Sequence, residues 1–421
     1  MDGPRKYLET HPWLTFDLDM TTAPARLWIA LGEAQSKCNH IAGVPLLPAV
    51  AQEMHFIYLA RGLLATTAIE GNTLTEDEVR EFLDKKLKLP ASRQYLALEI
   101  DNVLKACNLF LVDIKAGHKK RVTTELIREF DALVLKNLEL APEVIPGEIR
   151  KHSVGVGSYR GAPPEDCEYL LDRLSEWLNT KFDHEDIADR VIHGLIKSIV
   201  AHVYLAWIHP FGDGNGRTAR LLEVKFLLEA GVPSAAAHLL SNHYNLTRSE
   251  YYRQLDRTSK TRDLIPFILY AVTGFVDLLR EQIERIKAQH LTVSWINYVH
   301  STIGPQKTPA ERRQRDVVLA MSDSRYAEVY LKPAEIMTLS PQIAAQYATK
   351  TRKTLTRDLN NLRKLGLVLS KGNGYRANKR LMLAFLPTSI DGRGTESGHE
   401  AVLAHDPPMQ SELPLAAASS G

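Results

Sequence analysis

The chain has 421 residues, 44% apolar and 24% charged, with a net charge of +2. Length and composition predict two to three globular domains and exclude collagen, coiled coil and wholesale disorder. The near cancellation of charge excludes a global field for nucleic acid or membrane and leaves only local patches. Cys38, Cys107 and Cys167 are too widely spaced for a disulfide framework or a thiolate zinc site. The N-terminus holds no apolar run of signal-peptide length. The stretch Leu264–Leu279 is broken by Pro266, Gly274 and Asp277, too short for a membrane span. These features predict a cytoplasmic protein with no membrane partner.

Most of the chain reads as helix. Apolar residues at three- and four-residue spacing (Val50, Met54, Ile57, Tyr58, Leu64) predict a helix from Pro48 to Glu70, stopped at Gly71-Asn72. Thr75 and Glu78 form a capping box that starts the next helix. Residues 95–139 read as two helices split near Gly117. Residues 148–161 carry Val154 and Val156 in alternation among glycines, the pattern of a short hairpin or flap. Pro163-Pro164 opens another helix. An apolar helix follows over 186–208, then a glycine-rich turn and a helix from about Gly216 to Ala230, ended by Gly231 and Pro233. Further helices fill 249–300, and 301–311 reads as a linker. Beyond it lie a helix, a turn, a helix and a hairpin tipped by Gly372-Asn373-Gly374. The tail after Pro387, rich in Gly, Ser, Ala and Pro, is expected to be disordered.

The glycine-rich turn, His209-Pro-Phe-Gly-Asp-Gly-Asn-Gly-Arg217 and on to Arg220, carries the chemistry. Gly214, Asn215 and Gly216 precede a helix, so their N–H groups and the helix N-terminus form an anion site. Arg217 and Arg220 share one helix face and together suit a polyphosphate. Asp213 is a hard oxygen ligand suited to Mg²⁺ bridging phosphates. His209 can take a proton near neutral pH. A Walker loop is absent. An EF-hand begun at Asp213 would need other residues at the positions of Arg217, Thr218 and Val224.

The string HPFGDGNGRTAR resembles the Fic-domain signature HPFx[DE]GNGRxxR at every defined position, and the resemblance extends over roughly residues 1–300. It implies a mainly α fold and transfer of AMP from ATP, with Mg²⁺, to a Ser, Thr or Tyr hydroxyl of a target protein and of the chain itself. Carried over by position, His209 would be the general base. Gly212, Asp213, Gly214, Asn215, Gly216, Arg217, Thr218 and Arg220 would form the ATP- and phosphate-binding stretch, with Asp213 the metal ligand. Val154, Gly155, Val156 and Gly157 match the flap that aligns the target, and Tyr251 and Tyr252 match a pair flanking the adenine. Ser259 stands where relatives commonly carry Asn. Upstream, Thr66-x-x-x-Glu70-Gly71 resembles the inhibitory signature [ST]xxxE[GN], in which Glu70 would pair with Arg220 and keep it from the γ-phosphate. Some relatives also use this glutamate to remove AMP from targets. The competing functions are a DNA-binding regulator whose Fic core only senses nucleotide, and a Fic enzyme with another nucleotide donor.

The C-terminal segment resembles a winged helix-turn-helix. From Thr349 to Arg380 there are ten Lys or Arg against one acid, Asp358. A recognition helix is expected over Thr349–Leu365 after a helix over Pro341–Ala348, and duplex DNA is the expected partner, with protein docking the alternative. The expected organisation is an N-terminal helical region with the inhibitory motif (1–115), a Fic core (116–300), a winged helix (312–387) and a disordered tail (388–421). The reading leaves a homodimer open and names no protein target.

Overall fold

The computed structural model describes residues 5–382 apart from residues 119, 157–158, 183–185, 187, 306–307 and 327. Gly157 of the flap and the tail after Pro387 therefore lie outside the described residues. The chain divides into two compact units, Met1–Ala288 and Gln289–Gly421.

The first unit is helical. After a single turn, α1 (Tyr7–Thr10), come α2 (Ala25–Gly43), α3 (Pro48–Ala68) and α4 (Glu76–Leu83). Both halves of the Thr75–Glu78 capping box form, which fixes where α4 begins. α5 (Gln94–Lys115) and α6 (Thr124–Val134) follow, with Gly117 at positive φ between them. A hairpin of two-residue strands comes next, β1 (Gly155–Val156) paired antiparallel with β2 (Tyr159–Arg160). A 3-10 turn leads into α7 (Cys167–Lys181). α8 (Arg190–Ile208) and α9 (Asn215–Glu229) then flank the glycine-rich turn. Gly194 lets their far ends touch: a Cβ there would stand 2.2 Å from Ala230 Cβ. α10 (Leu239–Leu246), α11 (Arg248–Thr261) and α12 (Ile265–Ile303) complete the order.

α8 starts at Arg190, not 186, and α10 was not foreseen in a segment that lacks helical period. Among the described residues, α8 is the one helix long and apolar enough to cross a bilayer by length and composition. It is buried on nearly every side inside the unit, which accounts for its apolar character. The boundary expected at 115/116 runs through a shared core. Leu27, Leu63 and Ile100 belong to the same apolar cluster as Leu195, Leu222 and Phe267.

The division between the units falls inside α12. The second unit holds the rest of that helix, α13 (Pro309–Met321), α14 (Pro333–Ile336), α15 (Pro341–Tyr347), α16 (Arg352–Lys364), and the hairpin β3 (Val368–Lys371) and β4 (Gly374–Ala377). The linker expected over 301–311 is shorter, because α12 continues to Ile303 and a Thr308–Glu311 capping box starts α13. α16 starts three residues later than expected, with Thr351 extended as its N-cap. Leu331 bridges Tyr375 and adds a third extended segment to the hairpin. Trp295, Val318, Ile343, Leu359, Leu362 and Val368 belong to a core of this unit's own.

Candidate functional site

α8 ends because Pro210 cannot continue it. His209 caps the helix in the left-handed region (φ 51°) and donates its N–H to Leu205 O at 2.9 Å. The loop then closes on itself. Phe211 N–H donates to Asn215 Oδ1 (3.0 Å), and Asn215 Nδ2 donates to Phe211 O (2.9 Å). The Asn215 side chain is thus spent on the loop. Gly214 has φ 79° and lies over Asp131, whose Oδ1 would stand 2.6 Å from a Cβ. Gly212 packs against Val144. Among the described residues no side chain caps α9, so the N–H groups of its first turn stay open to an anion.

A carboxylate reaches that helix end. A Cβ on Gly216 would stand 2.0 Å from Glu70 Oε1, which accepts from Arg220 Nη2 at 2.5 Å. The same nitrogen donates to Thr66 O (2.9 Å), so both fixed ends of the upstream motif meet Arg220. Burial pushes the Glu70 carboxyl up, but the guanidinium of Arg220, helped by Arg217, outweighs it and holds the group below its usual value. Arg217 donates to Glu99 Oε1 (3.2 Å) and Asp213 Oδ1 (3.1 Å). Arg220 Nε and Nη1 and Arg217 Nε are buried without a hydrogen-bond partner among the described residues. Buried donors of this kind are costly unless something accepts from them.

His209 Nδ1 lies 3.3 Å from Ala206 O, which assigns its proton there and leaves Nε2 with a lone pair. Burial lowers the His209 pKa, and the positive charge of Arg150 adds to this against Glu70 and Asp213. The imidazole is therefore neutral at pH 7, the state a base requires.

Of the two tyrosines expected near the adenine, Tyr251 is buried and bonds His202 Nε2 through its hydroxyl (2.8 Å). Tyr252 is open and reaches Ile69 O (3.4 Å). The Ser259 hydroxyl is turned back to Asp256 O (2.9 Å) on its own helix. The Thr218 hydroxyl faces Asp131 at 3.5 Å. At the flap, Gly161 N–H donates to Val154 O (3.1 Å), and Tyr159 OH donates to Trp207 O (2.8 Å), tying the hairpin to the end of α8.

Four functional candidates were missed from sequence. Glu99 sits among Leu96, Ile100 and Val103, and Asp131 among Ile127, Phe130 and Val134. An acid on an apolar helical stripe was the available signal for both. Burial raises Glu99 and pushes Asp131 up to about 7. Arg248 donates to Ile69 O (2.6 Å) and Ala68 O (3.3 Å), holding the carbonyl end of α3 next to Glu70. Arg150 bonds backbone on both sides of the flap, and nothing local in the sequence marks it.

Residues 121–227 match the Fic/DOC family. The chain is similar to "Protein adenylyltransferase fic-1" of Caenorhabditis elegans, 29% identical over 238 residues, covering 56% of this chain and 43% of that protein. It is similar to "Protein adenylyltransferase Fic" of Nematostella vectensis, 31% identical over 208 residues, covering 49% and 44%. It thus spans less than half the length of these curated relatives. Its fold is similar to the crystal structure of a Fic family protein from Desulfovibrio desulfuricans G20, with TM-score 0.52, 19% identity, and 85% of this chain and 97% of that one covered.

Proposed function

For a chain whose residues 121–227 match the Fic/DOC family, we propose transfer of AMP from ATP to a protein hydroxyl, held in check by Glu70. One observation carries this reading. Guanidinium nitrogens buried with no acceptor among the described residues converge with a helix end that none of those residues' side chains caps, beside a neutral histidine. A polyphosphate supplies the missing acceptors.

In the reaction, His209 Nε2 takes the proton of the target hydroxyl. The oxygen bonds the α-phosphorus, the bond from that phosphorus to the bridging oxygen breaks, and pyrophosphate leaves. Arg217, Arg220 and the first turn of α9 hold the charge of the outer phosphates. Asp213 is half exposed and fits Mg²⁺ in the usual manner, one carboxylate beside substrate phosphates. Among the described residues there is no cluster of three ligands that would cage a metal alone. Magnesium would neutralise phosphate charge there. Glu70 puts a carboxylate where an outer phosphate would sit and keeps Arg220 for itself. The three cysteines are free and buried, which suits a cytoplasmic setting.

Incubation of the chain with ATP labelled at the α- or γ-phosphate tests the reaction. Label from the α-position alone should appear on protein, more strongly in Glu70→Gly. His209→Ala should lower transfer by about 10² to 10⁴ while ATP still binds. Near-normal transfer by His209→Ala would remove the base assignment. A donor preference for UTP or CDP-choline would replace ATP as substrate.

A second activity is favoured by one observation. Asp358, the lone acid of the C-terminal basic segment, is turned inward to Arg313, Gln314 and Tyr347. Arg352, Lys353, Arg357 and Lys364 are left exposed along α16. A helix of this charge behind a helix-turn-helix, with a hairpin after it, suits the phosphates of duplex DNA.

A further inference from the structure

We propose that Arg150 is a positioning residue that locks the base His209 to both feet of the flap. The proposal rests on the reading of His209 as the base.

Arg150 is 4% exposed. Its Nε donates to His209 O (2.7 Å), its Nη1 to His152 O (2.6 Å) and its Nη2 to Ala162 O (2.5 Å). Its own backbone N–H donates to Pro210 O (3.0 Å). One residue therefore gathers carbonyls from the catalytic loop, the chain entering the hairpin and the chain leaving it. Its side chain has no carboxylate bonded to it among the described residues. An interior cation so placed is tolerable only because carbonyls surround it. The planar fork of a guanidinium can serve three carbonyls in fixed directions; the single nitrogen of lysine cannot.

The need for such a clamp lies in the backbone of His209. A non-glycine residue in the left-handed region is held there by its surroundings. Arg150 fixes the peptide units on both sides of Pro210, one through the side chain and one through the backbone. Gly161 completes the contact: a Cβ there would stand 2.8 Å from His209 Cβ and 2.9 Å from Arg150 Nη2. The strand leaving the flap thus runs directly against the base. A target aligned by the flap meets the imidazole at a distance set by this clamp. The charges facing His209 are Arg150 on one side and Glu70 and Asp213 on the other. Removing the cation removes the one that opposes protonation.

The test compares wild type, Arg150→Lys and Arg150→Gln in the full chain. It reads automodification rate against pH, ATP affinity, and the NMR titration of the His209 ring. Arg150→Lys keeps the charge but loses the fork. It should lower kcat at least tenfold, with ATP affinity within a few-fold and the His209 titration little moved. Arg150→Gln should lower kcat as much, raise the pH at which His209 titrates, and carry the acid limb of the rate profile upward with it. If Arg150→Gln does not fold, the rate-against-affinity split of Arg150→Lys decides. Unchanged kcat in a folded Arg150→Lys would overturn the proposal. So would an equal loss of rate and ATP affinity, which marks general damage. The two readings fail separately: transfer surviving in His209→Ala removes the base, whereas the His209 titration reports the hold of Arg150 on the ring whatever its role.

Discussion

The two units use charge in opposite directions. In the first, carboxylates and guanidinium groups are turned inward onto one another: Glu70 with Arg220, and Glu99 and Asp213 with Arg217. In the second, the acid of the basic segment is buried and the cations of α16 face water. The lesson concerns what each arrangement can do. An inward pair is a competition that a ligand of higher charge can win, so it suits a switch. An outward row of cations is already available to a polyanion, so it suits a standing surface with strong salt dependence.

Asp131 breaks the pattern first, as an interior acid with no cation bonded to it among the described residues. It accepts Gly147 N–H (2.9 Å) and otherwise meets the Thr218 hydroxyl and Gly214. Its pKa rises from 3.8 to about 7 on folding, so the native state binds the proton more tightly than the unfolded chain. Stability must then fall as pH rises from about 4 to 7 and level off above, by roughly 4 kcal/mol at most. Asp131→Asn should flatten this slope. Its unfolding midpoint in urea should gain on wild type between pH 5 and pH 8; equal slopes would mean that Asp131 ionises normally.

Next comes the inward pair itself. On the proposed reading, Glu70→Gly should raise automodification and target modification together by at least about tenfold, since misalignment at a reacting centre is costly. Arg220→Ala also frees Glu70, yet it should be inactive, and so should the double variant, because the phosphate contact is gone. Unchanged or lower transfer in a folded Glu70→Gly would leave the pair structural.

Arg248→Ala gives a smaller effect of the same sign. Losing a cation at a helix carbonyl end costs on the order of 1 kcal/mol. The turn bearing Glu70 should loosen and basal transfer rise a few-fold in an initial-rate assay. No rise would mean that the Glu70–Arg220 contact alone fixes the turn.

The smallest effect is a slope. If α16 holds duplex DNA, log affinity should fall with log salt by about 0.9 per phosphate contact. Arg352→Ala with Arg357→Ala should then reduce the slope by about two units in a binding titration. Salt-insensitive binding, or none, would turn the basic face toward a protein partner.

Local grammar in the sequence was the readable part. Thr75 with Glu78 marked a helix start, Gly231 a helix end and Gly372 a hairpin tip, because each works through bonds to near neighbours. The shape of the glycine-rich turn was readable for the same reason, since its closed loop and the helix start after it are built from consecutive residues. Arg150, Glu99 and Asp131 were not read, because their partners lie far along the chain: Arg150 to His209 and Glu99 to Arg217 are pairings that periodicity does not encode. α10 escaped because its contacts are tertiary. His238 at its start packs on Gly62 of α3, where a Cβ would stand 2.3 Å from the ring. The role of Asn215 as a clasp depends on the return path of the loop, which no local pattern encodes.

That clasp has a thermodynamic consequence. Ordering a residue costs about 1 to 2 kcal/mol in backbone entropy. The loop from Phe211 to Asn215 is closed by two hydrogen bonds of its own, so this cost falls on folding and not on binding. ATP association should draw little on loop entropy, and calorimetry on Glu70→Gly should show affinity gained without a large unfavourable entropy change. Replacing Asn215 by Ala transfers the disorder to the binding step: the same contacts form, but the nucleotide must then order the loop that receives it.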